Sequence, residues 1–383
     1  MVQAQEKYRY EMEYITRTLH GFPELGGQEF KSSQLIQEIL LKNGFQVKNN
    51  IAGFETAFRG DFASGKSAPR IAFIVEYDAL PEIGHGCGHN ASAAVSVAAA
   101  LITIDCMRAF GLEGSIVILG TPAEETLSCK VDMGIQNVFA DIDLAMMVHA
   151  YDRWEIDCRS MALDAITFKF KGKAAHAAAA PEMGINALDA VMLTFHGINC
   201  LREHVLDSCR IHGVVSKGGS APNVVPETGE ANFYVRAQER TYLTELTKRV
   251  ENCGRGAAIA TGCQMVVDNF EPSIDNLKAN HSLQDVFYNN LLEVAPGKDI
   301  GRDPLWIGST DVGNLSQLVP SIHPMMALVP EGIELHTKSF ADATITNHAL
   351  KIISDTAYAL SGSALELLIN SDTFNKVKID FQE

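Results

Sequence analysis

The chain has 383 residues, 46% of them hydrophobic, and a formal net charge of -16 at pH 7. This length is enough for two domains with separate cores, and the negative charge argues against nucleic acid or an anionic membrane surface as a partner. The charged N-terminal segment lacks the apolar core of a signal peptide, and the longest apolar stretch, residues 91–104, is shorter than a membrane span. We therefore expect a cytoplasmic protein without a membrane partner.

The first part of the chain alternates between helical and strand patterns. Residues 30–43 repeat apolar positions on one face of a helix, and a more apolar helix begins at about residue 91. The segments 70–80, 115–125 and 144–151 contain apolar runs in their first halves and predict strands that are buried on both faces. Such alternation favours a largely parallel sheet, in which functional residues lie just past the carboxyl ends of the strands.

The pattern changes after about residue 160. Residues 161–272 read β-α-β-β-α-β, the order of a ferredoxin-like unit, and the chain then returns to mixed helix and loop. We predict an α/β protein in which residues 1–160 and 273–383 form a domain around a mixed, largely parallel sheet. The segment 161–272 is predicted to be a ferredoxin-like domain inserted into it.

A glycine-rich loop, "GHGCGHN" (84–90), precedes the apolar helix and places Cys87 and His89 two residues apart. Glycines on both sides of the cysteine relax the backbone, so that the thiolate and the imidazole could turn toward one metal. The alternative interpretation of the same sequence is a flexible turn with its polar residues in solvent. The loop alone does not separate these two interpretations.

Adjacent acids follow another apolar strand in "GTPAEE", where Glu124 and Glu125 stand. In an extended segment neighbouring side chains point to opposite sides, so one carboxylate could bind a metal while the other faces a substrate as a base. The alternative is a solvated loop or the acidic first turn of a helix.

Two histidines stand at further candidate ligand positions. His149 closes the strand "LAMMVHA", where a hydrogen-bonded core histidine is the simpler interpretation, and His336 lies in "ELHTKSF". Together with the loop cysteine, the loop histidine and one of the adjacent acids, they supply enough donors for two metal ions. This donor set favours zinc, with manganese or cobalt as alternatives. Two ions and a free carboxylate are what metal-assisted hydrolysis of an amide requires.

In this order, these residues resemble the M20 family of metallopeptidases and amidohydrolases, in its cysteine-containing branch of aminobenzoyl-glutamate hydrolases, amino-acid-conjugate hydrolases and dipeptidases. The resemblance covers nearly the whole chain, in the segments "LHGFPELGGQE", "YDALPEIGHGCGHN", "GTPAEE", "MVHA", "GKAAHAAAAPEMGINALDA", "APNVVPETGEANFYVRA" and "ELHTKSF". It implies that the inserted domain is a lid and dimerisation domain. It also implies a homodimer or homotetramer that acts on a small peptide or an N-acyl amino acid.

The resemblance assigns the metal ligands and the base. Two divalent ions per subunit would be held by the following ligands: Cys87, His89, Glu125, His149 and His336. Cys87 stands where the wider family has a bridging Asp, and Glu124 would be the general base that takes a proton from water and passes it to the leaving amine.

Three residues of the inserted domain also acquire roles from the resemblance. His176, in "KAAHAAAAP", is similar to the lid histidine that stabilises the oxyanion, often from the partner subunit, although its sequence context alone favours a surface histidine. Asn223 and Arg236 resemble residues that hold the substrate carboxylate or the oxyanion.

The sequence departs from the family pattern at two places. The wider family opens its metal site with His-x-Asp, but this chain has Glu76 and Asp78 there, so we expect His89 to replace the missing ligand and Asp78 to orient it. The branch motif Cys-Gly-His-Asp ends here in Asn90, a neutral amide.

The resulting hypothesis is a metal-dependent hydrolase that cleaves an amide or peptide bond next to a free carboxylate, as a dipeptidase, a carboxypeptidase or an N-acyl-amino-acid amidohydrolase. One alternative is an endopeptidase that acts on longer peptides. The other is a non-catalytic protein that binds peptides or amino-acid conjugates.

Overall fold

The computed structural model describes residues 1–65 and 69–383 and divides the chain into two compact units. The first unit comprises Met1–Arg159 with Leu277–Glu383, and the second comprises Ser160–Asn276. In the described residues the α-helices are α1 (Val2–Lys7), α2 (Arg9–Gly21), α3 (Phe30–Lys42), α4 (His89–Phe110), α5 (Cys129–Ile135), α6 (Ala187–Leu201), α7 (Arg240–Thr261), α8 (His281–Val294), α9 (Val312–Ser316), α10 (Lys338–Ala343), α11 (Asn347–Ile369) and α12 (Ser371–Gln382). The strands are β1 (Gln46–Ile51), β2 (Phe54–Ser64), β3 (Arg70–Val75), β4 (Gly114–Gly120), β5 (Leu144–Met146), β6 (His149–Tyr151), β7 (Trp154–Glu155), β8 (Cys158–Arg159), β9 (Ala162–Lys171), β10 (Arg210–Lys217), β11 (Thr228–Ala237), β12 (Gln264–Asn269), β13 (Ile300–Gly301), β14 (Leu305–Trp306), β15 (Ser321–Ile322) and β16 (Met325–Ala327).

The main sheet of the first unit is mixed and confirms the predicted fold class. Its described strands run in the order β1-β2-β4-β3-β5-β15. The pairs β4–β3, β3–β5 and β5–β15 are parallel, whereas β1 and β2 run antiparallel at one side. The parallel strands are therefore those that end where the candidate site residues begin.

The two faces of β3 pack against different cores, as its continuous apolar run predicts. Ile71 and Phe73 join the larger core with α2, α4 and α11, while Ala72 and Ile74 face a smaller core with α5 and α9. A parallel strand covered on both faces can be apolar at every position, because neither face meets water. Both cores together fix the strand whose end carries Glu76 and Asp78.

The prediction of a single buried strand over residues 144–151 is wrong. The chain leaves the main sheet after Met146 and resumes as β6 at His149 in a separate small sheet, where β6 pairs in parallel with β16. Periodicity cannot reveal this change, because both segments are apolar and buried. The break places His149 at the start of a new strand, beside the edge of the main sheet.

Among the described residues, α4 and α11 are long and apolar enough to cross a membrane by length and composition. However, 78% of the most apolar window of α4 and 67% of that of α11 are buried inside the protein. They pack against each other and against α2 and α8 in the larger core. Burial of this extent is typical of core helices.

The second unit has the β-α-β-β-α-β order predicted for a ferredoxin-like domain. Its described strands form an antiparallel sheet in the order β10-β11-β9-β12. Burial alternates along β11, and the buried side chains, such as Phe233, pack with Phe168 and with the apolar positions of α6 and α7. One face of the sheet is thus covered by two helices.

Candidate metal centre

Polar residues follow four strand ends at one edge of the main sheet. Asp78 comes after β3, Glu124 and Glu125 after β4, His149 after β5, and His323 directly after β15. Because these strands are parallel, their carboxyl ends meet at the same edge. The glycine-rich loop and the start of α4 complete this cluster, since His89 is the first residue of that helix.

Cys87, Glu125 and His336 form one group of donors. Sγ of Cys87 contacts Oε1 of Glu125, and one donor atom from each of the three residues lies within 4.8 Å of the others. The backbone N–H of His336 donates to the carbonyl of Gly86 at 3.0 Å. A Cβ at Gly86 would approach the Cα of His336 to 3.3 Å, so the missing side chain lets the two loops come this close.

His89 and His149 belong to a second group, which also includes Glu76. One donor atom from each lies within 4.8 Å of the others, and His89 and Glu76 are almost fully buried. The two imidazole rings meet edge to face with their centroids 5.5 Å apart. Glu76 was not among the predicted ligands, since sequence analysis treated its position only as the place of a missing histidine.

Hydrogen bonds at Nδ1 orient both imidazoles of this second group. Nδ1 of His89 lies 3.0 Å from Oδ1 of Asp78 and 3.0 Å from its carbonyl oxygen, both acceptors. Nδ1 of His149 donates to the carbonyl of Ala150 at 2.8 Å. In the neutral imidazole each Nδ1 therefore carries the ring proton, and the lone pair on Nε2 is available to bind a metal. Asp78 also accepts from the backbone N–H of Glu125 at 3.0 Å through its other oxygen.

The predicted extended geometry for Glu124 and Glu125 is wrong, because both residues lie in a tight turn. Ala123 has a left-handed φ of 58°, and its carbonyl accepts from the N–H groups of Leu127 and Ser128 at 2.9 and 2.8 Å. The two carboxylates consequently do not point to opposite sides. One oxygen of each lies within 4.8 Å of the same His89 nitrogen.

The electrostatic surroundings of the cluster favour a cation. Burial alone would lower the pKa of His89, but Asp78, Glu76 and Glu125 raise it well above its ordinary value. Burial, with a further contribution from Glu125, raises the pKa of the Cys87 thiol far above its usual range. A buried sulfur among carboxylates is therefore a poor thiolate unless a cation neutralises it.

The pKa values of Glu124 and His149 are shifted from those of free side chains. Burial, together with Glu76 and Glu125, raises the pKa of the Glu124 carboxyl well above its usual range. Burial, reinforced by His323 and His89, lowers the pKa of His149 to about 3. His149 is therefore neutral in the fold, which is the form that binds a metal.

The donors present fit divalent metal ions. Nε2 of His89 is fully buried and has no hydrogen-bond partner among the described residues, although buried nitrogens are almost always paired. Sulfur, imidazole and carboxylate atoms surround it, and this mixture suits zinc more than calcium or magnesium.

Four buried residues in or next to the cluster were missed by sequence reasoning: Glu76, Lys130, Asp311 and His323. Nζ of Lys130 lies 2.8 Å from Glu76 and 2.6 Å from Asp311, and the ring of His323 stacks on His149 at 5.4 Å. The strand-end rule could have found Glu76 and His323, which follow β3 and β15 directly. Nothing in the local sequence marks Lys130 and Asp311, because only the fold brings them together.

The side chain of Asn90 forms hydrogen bonds that link three elements of the fold. It is buried, and its amide donates to the carbonyl of Thr16 at 3.1 Å and to the hydroxyl of Thr344 at 3.0 Å. It thus joins the start of α4 to α2 and to the residue after α10. A carboxylate at this position could not donate either hydrogen bond.

His176, Asn223 and Arg236 belong to the second unit. His176 and Asn223 lie together, because the N–H of Ala177 donates to the Asn223 carbonyl at 3.0 Å and His176 forms a bridge with Val224. Both residues lie in loops at the end of the sheet where β11 begins. Arg236 lies near the other end of β11, where it pairs with Leu163 and Arg210.

Arg236 is therefore separated from the His176–Asn223 loops by most of the length of β11. Its guanidinium lies over the ring of Tyr234 at 5.5 Å, and burial lowers its pKa. Eight residues of strand, from Thr228 to Arg236, span roughly 26 Å. A dipeptide is much shorter than this distance.

An α/β fold that gathers buried sulfur, imidazole and carboxylate donors at the carboxyl edge of a parallel sheet has the components that a metal-dependent hydrolase requires. Comparison with known proteins gives the family. Residues 162–257 match the M20 peptidase dimerisation domain. The mouse and human proteins named Xaa-Arg dipeptidase are 35% and 34% identical to the chain, over 86% and 96% of its length and 78% and 88% of theirs.

Two further similarities agree with this result. One of the subunits of the p-aminobenzoyl-glutamate hydrolase of Escherichia coli is 34% identical over 72% of the chain and 61% of that subunit. A dinuclear metal-binding peptidase of the M20 family from Bacillus subtilis shares the fold, with a TM-score of 0.67 and 17% identity over 94% of this chain and 99% of that one. The chain belongs to the M20 family of peptidases and amidohydrolases, and it is an enzyme that hydrolyses an amide bond.

Proposed function

We propose that the enzyme cleaves the amide bond of dipeptides or N-acyl amino acids next to a free carboxylate, with two divalent ions at the strand-end cluster. The proposal of a metal centre rests on one observation. Two groups of donors, Cys87–Glu125–His336 and His89–His149, converge from distant parts of the chain. Zinc suits these donors best, with manganese or cobalt as alternatives.

Divalent ions at this position would polarise the scissile carbonyl and make water a stronger acid. The chain supplies the rest of the chemistry. Glu124, beside both donor groups, takes a proton from the attacking water and delivers it to the leaving amine. Its proximity to His89 and Glu125, within 4.8 Å, supports this role. Asp78 keeps His89 in the metal-binding tautomer.

A basic residue on the carboxyl side of the cleaved bond is the substrate feature we favour. Two relatives at 35% and 34% identity carry the name Xaa-Arg dipeptidase. The net charge of -16 also raises the local concentration of cationic peptides around the enzyme. Both observations support dipeptides that end in arginine or lysine over acidic ones.

We further propose that each active site uses residues of two subunits. The match to a dimerisation domain supports an oligomer, a homodimer or homotetramer. Within one chain, Arg236 and the His176–Asn223 loops lie at opposite ends of β11. If all three contact one small substrate, His176 and Asn223 must come from one copy and Arg236 from another.

A substrate panel tests the proposed activity. Dipeptides that end in Arg, Lys, Ala or Asp, together with the C-terminally amidated forms, would be assayed with added Zn²⁺, Mn²⁺ or Co²⁺. We expect the highest kcat/KM for Arg and Lys, and a loss of about 10- to 100-fold on amidation, because a charged anchor is removed. Equal cleavage of amidated longer peptides would indicate an endopeptidase instead. Binding without turnover would indicate a binding protein.

A further inference from the structure

A buried charge cluster lies directly beneath the proposed metal centre. Glu76, Lys130 and Asp311 are almost fully removed from solvent, with side-chain exposures of 1%, 0% and 0%. They come from the end of β3, the start of α5 and the residue before α9. Residues of these types are rarely buried so completely without a specific partner.

Charge counting shows that the cluster is incomplete by itself. Asp311 accepts from the Lys130 ammonium at 2.6 Å and from its backbone N–H at 3.1 Å. The same ammonium lies 2.8 Å from Oε1 of Glu76. One lysine thus faces two carboxylates, which leaves one negative charge buried. An uncompensated buried charge is strongly destabilising, so a further cation, either a protonated imidazole or a metal ion, is expected on the open side of Glu76.

The open side of Glu76 faces the imidazole of His89. Oε2 of Glu76 lies 3.5 Å from Nε2 of His89, and neither atom has a hydrogen-bond partner in the described part of the chain. The Nδ1 proton of His89 is already directed at Asp78. A protonated Nε2 would be expected to donate at about 2.7–3.2 Å, a shorter distance than the one observed.

The same separation fits two ligands of one metal ion. Nitrogen and oxygen ligands bind zinc at about 2.0–2.2 Å in a tetrahedral arrangement, so two of them are about 3.3–3.6 Å apart. His149 supplies a third donor, because one donor atom from each of Glu76, His89 and His149 lies within 4.8 Å of the others.

We propose that Glu76 is itself a metal ligand, which binds one ion together with His89 and His149 and is held in place by the Lys130–Asp311 pair. This inference rests on the proposed metal-dependent function. The second ion belongs to Cys87, Glu125 and His336. Lys130 acts as a positioning residue, since its ammonium lies 2.8 Å from the carboxylate of Glu76, and Asp311 holds that ammonium in turn at 2.6 Å.

The test replaces Glu76 by Gln, which keeps the shape of the side chain and removes its charge. Metal content per chain would be measured by mass spectrometry after dialysis against a weak chelator, and the Co²⁺-loaded protein would be examined by absorption spectroscopy. We expect Glu76→Gln to retain one ion, to bind the other at least about tenfold more weakly, and to change the Co²⁺ d–d bands. Loss of the charge at Glu76 should leave the Cys87 thiolate band in place.

Two controls separate a ligand from a structural ion pair. Asp311→Asn weakens the ion pair with Lys130 but removes no proposed ligand, so it should lower thermal stability and still retain two tightly bound ions per chain. Asp164→Asn, in the second unit, removes another buried carboxylate, one that accepts from Arg240 and Thr247. It should leave both metal content and spectrum unchanged.

If Glu76→Gln does not fold, Glu76→Asp keeps the charge but withdraws the carboxylate by one methylene, and it should show the same selective loss of one ion. Two tightly bound ions with a wild-type spectrum in the folded Gln or Asp variant would overturn the assignment of Glu76. A wild-type protein that binds no divalent ion would instead refute the proposed function. The two failures are thus distinguishable.

Discussion

At the residue scale, the adjacent Glu124 and Glu125 are expected to have different chemical roles, although they lie in the same turn. Glu125 contacts the sulfur of Cys87 and lies near His336, whereas Glu124 lies between His89 and the buried carboxylates of Glu76 and Asp311. The first environment suits a metal ligand. The second raises the proton affinity of Glu124, as a general base requires.

Substitution of each acid by glutamine should separate these roles. Glu124→Gln is expected to reduce kcat by about 10²–10⁴-fold and to keep its metal, because only proton transfer is lost. Glu125→Gln should lose bound metal as well as activity. Parallel measurements of kcat and of metal per chain decide between them. Near wild-type turnover of Glu124→Gln would refute its role as the base.

At the element scale, the turn that carries both acids is shaped by the loop after α2. The backbone N–H of Ala123 donates to the buried carboxylate of Glu29 at 2.8 Å, and Glu29 accepts from Thr56 through its other oxygen at 2.9 Å. Gly26 packs so closely that a Cβ there would come within 2.2 Å of the Thr126 hydroxyl oxygen. The segment "LGGQE" thus supports the left-handed turn at Ala123 from outside the metal centre.

Gly26→Ala should therefore disturb the site without altering any ligand. The added methyl group is expected to displace the turn, with a loss of about 1–3 kcal/mol in the free energy of unfolding and a reduced kcat. Gly21→Ala is the matched control, since a Cβ at Gly21 meets nothing within 4 Å. Denaturant unfolding and steady-state kinetics would measure both variants. Equal behaviour of the two would mean that the close contact at Gly26 does not position the turn.

At the scale of the whole molecule, metal binding and folding of the first unit are expected to be coupled. The cluster concentrates buried acids and a buried sulfur, which repel one another when no cation is present. Removal of metal by a strong chelator should lower Tm by about 5–10 °C, and addition of Zn²⁺ should restore both Tm and activity. Thermal scans of chelated and reloaded protein measure this effect. An unchanged Tm after verified loss of metal would contradict it.

Sharing of active sites between subunits leads to a complementation experiment. Glu124→Gln and His176→Ala are each expected to be inactive alone. The purified mixed dimer should regain up to about half of wild-type turnover, because one of its two sites combines an intact Glu124 with an intact His176. Co-expression with two affinity tags would isolate the hybrid. No recovery in the purified hybrid would mean that His176 serves its own chain.

The sequence by itself determined the fold class, because this depends on local patterns, and it named candidate site residues whose roles stay predictions. The apolar run after Arg70 predicts a strand buried on both faces, as β3 is, and the order of elements after residue 160 predicts the ferredoxin-like unit. Cys87, His89 and His149 could be named as candidates because sulfur and imidazole bind metals, and only their combination favoured a metal site over a flexible turn and a core histidine. The resemblance to the M20 family, which similar proteins confirm, added the choice between Glu124 and Glu125, and that choice stays a prediction.

Tertiary structure alone decided where the chain turns and what lies beneath the centre. The left-handed Ala123 brings both acids near His89, and the break after Met146 moves His149 into another sheet. Lys130 and Asp311 are 181 residues apart in sequence, yet they form a buried ion pair next to Glu76. Local propensity carries no information about such pairs, because their charges become significant only when the folded core excludes water from around them.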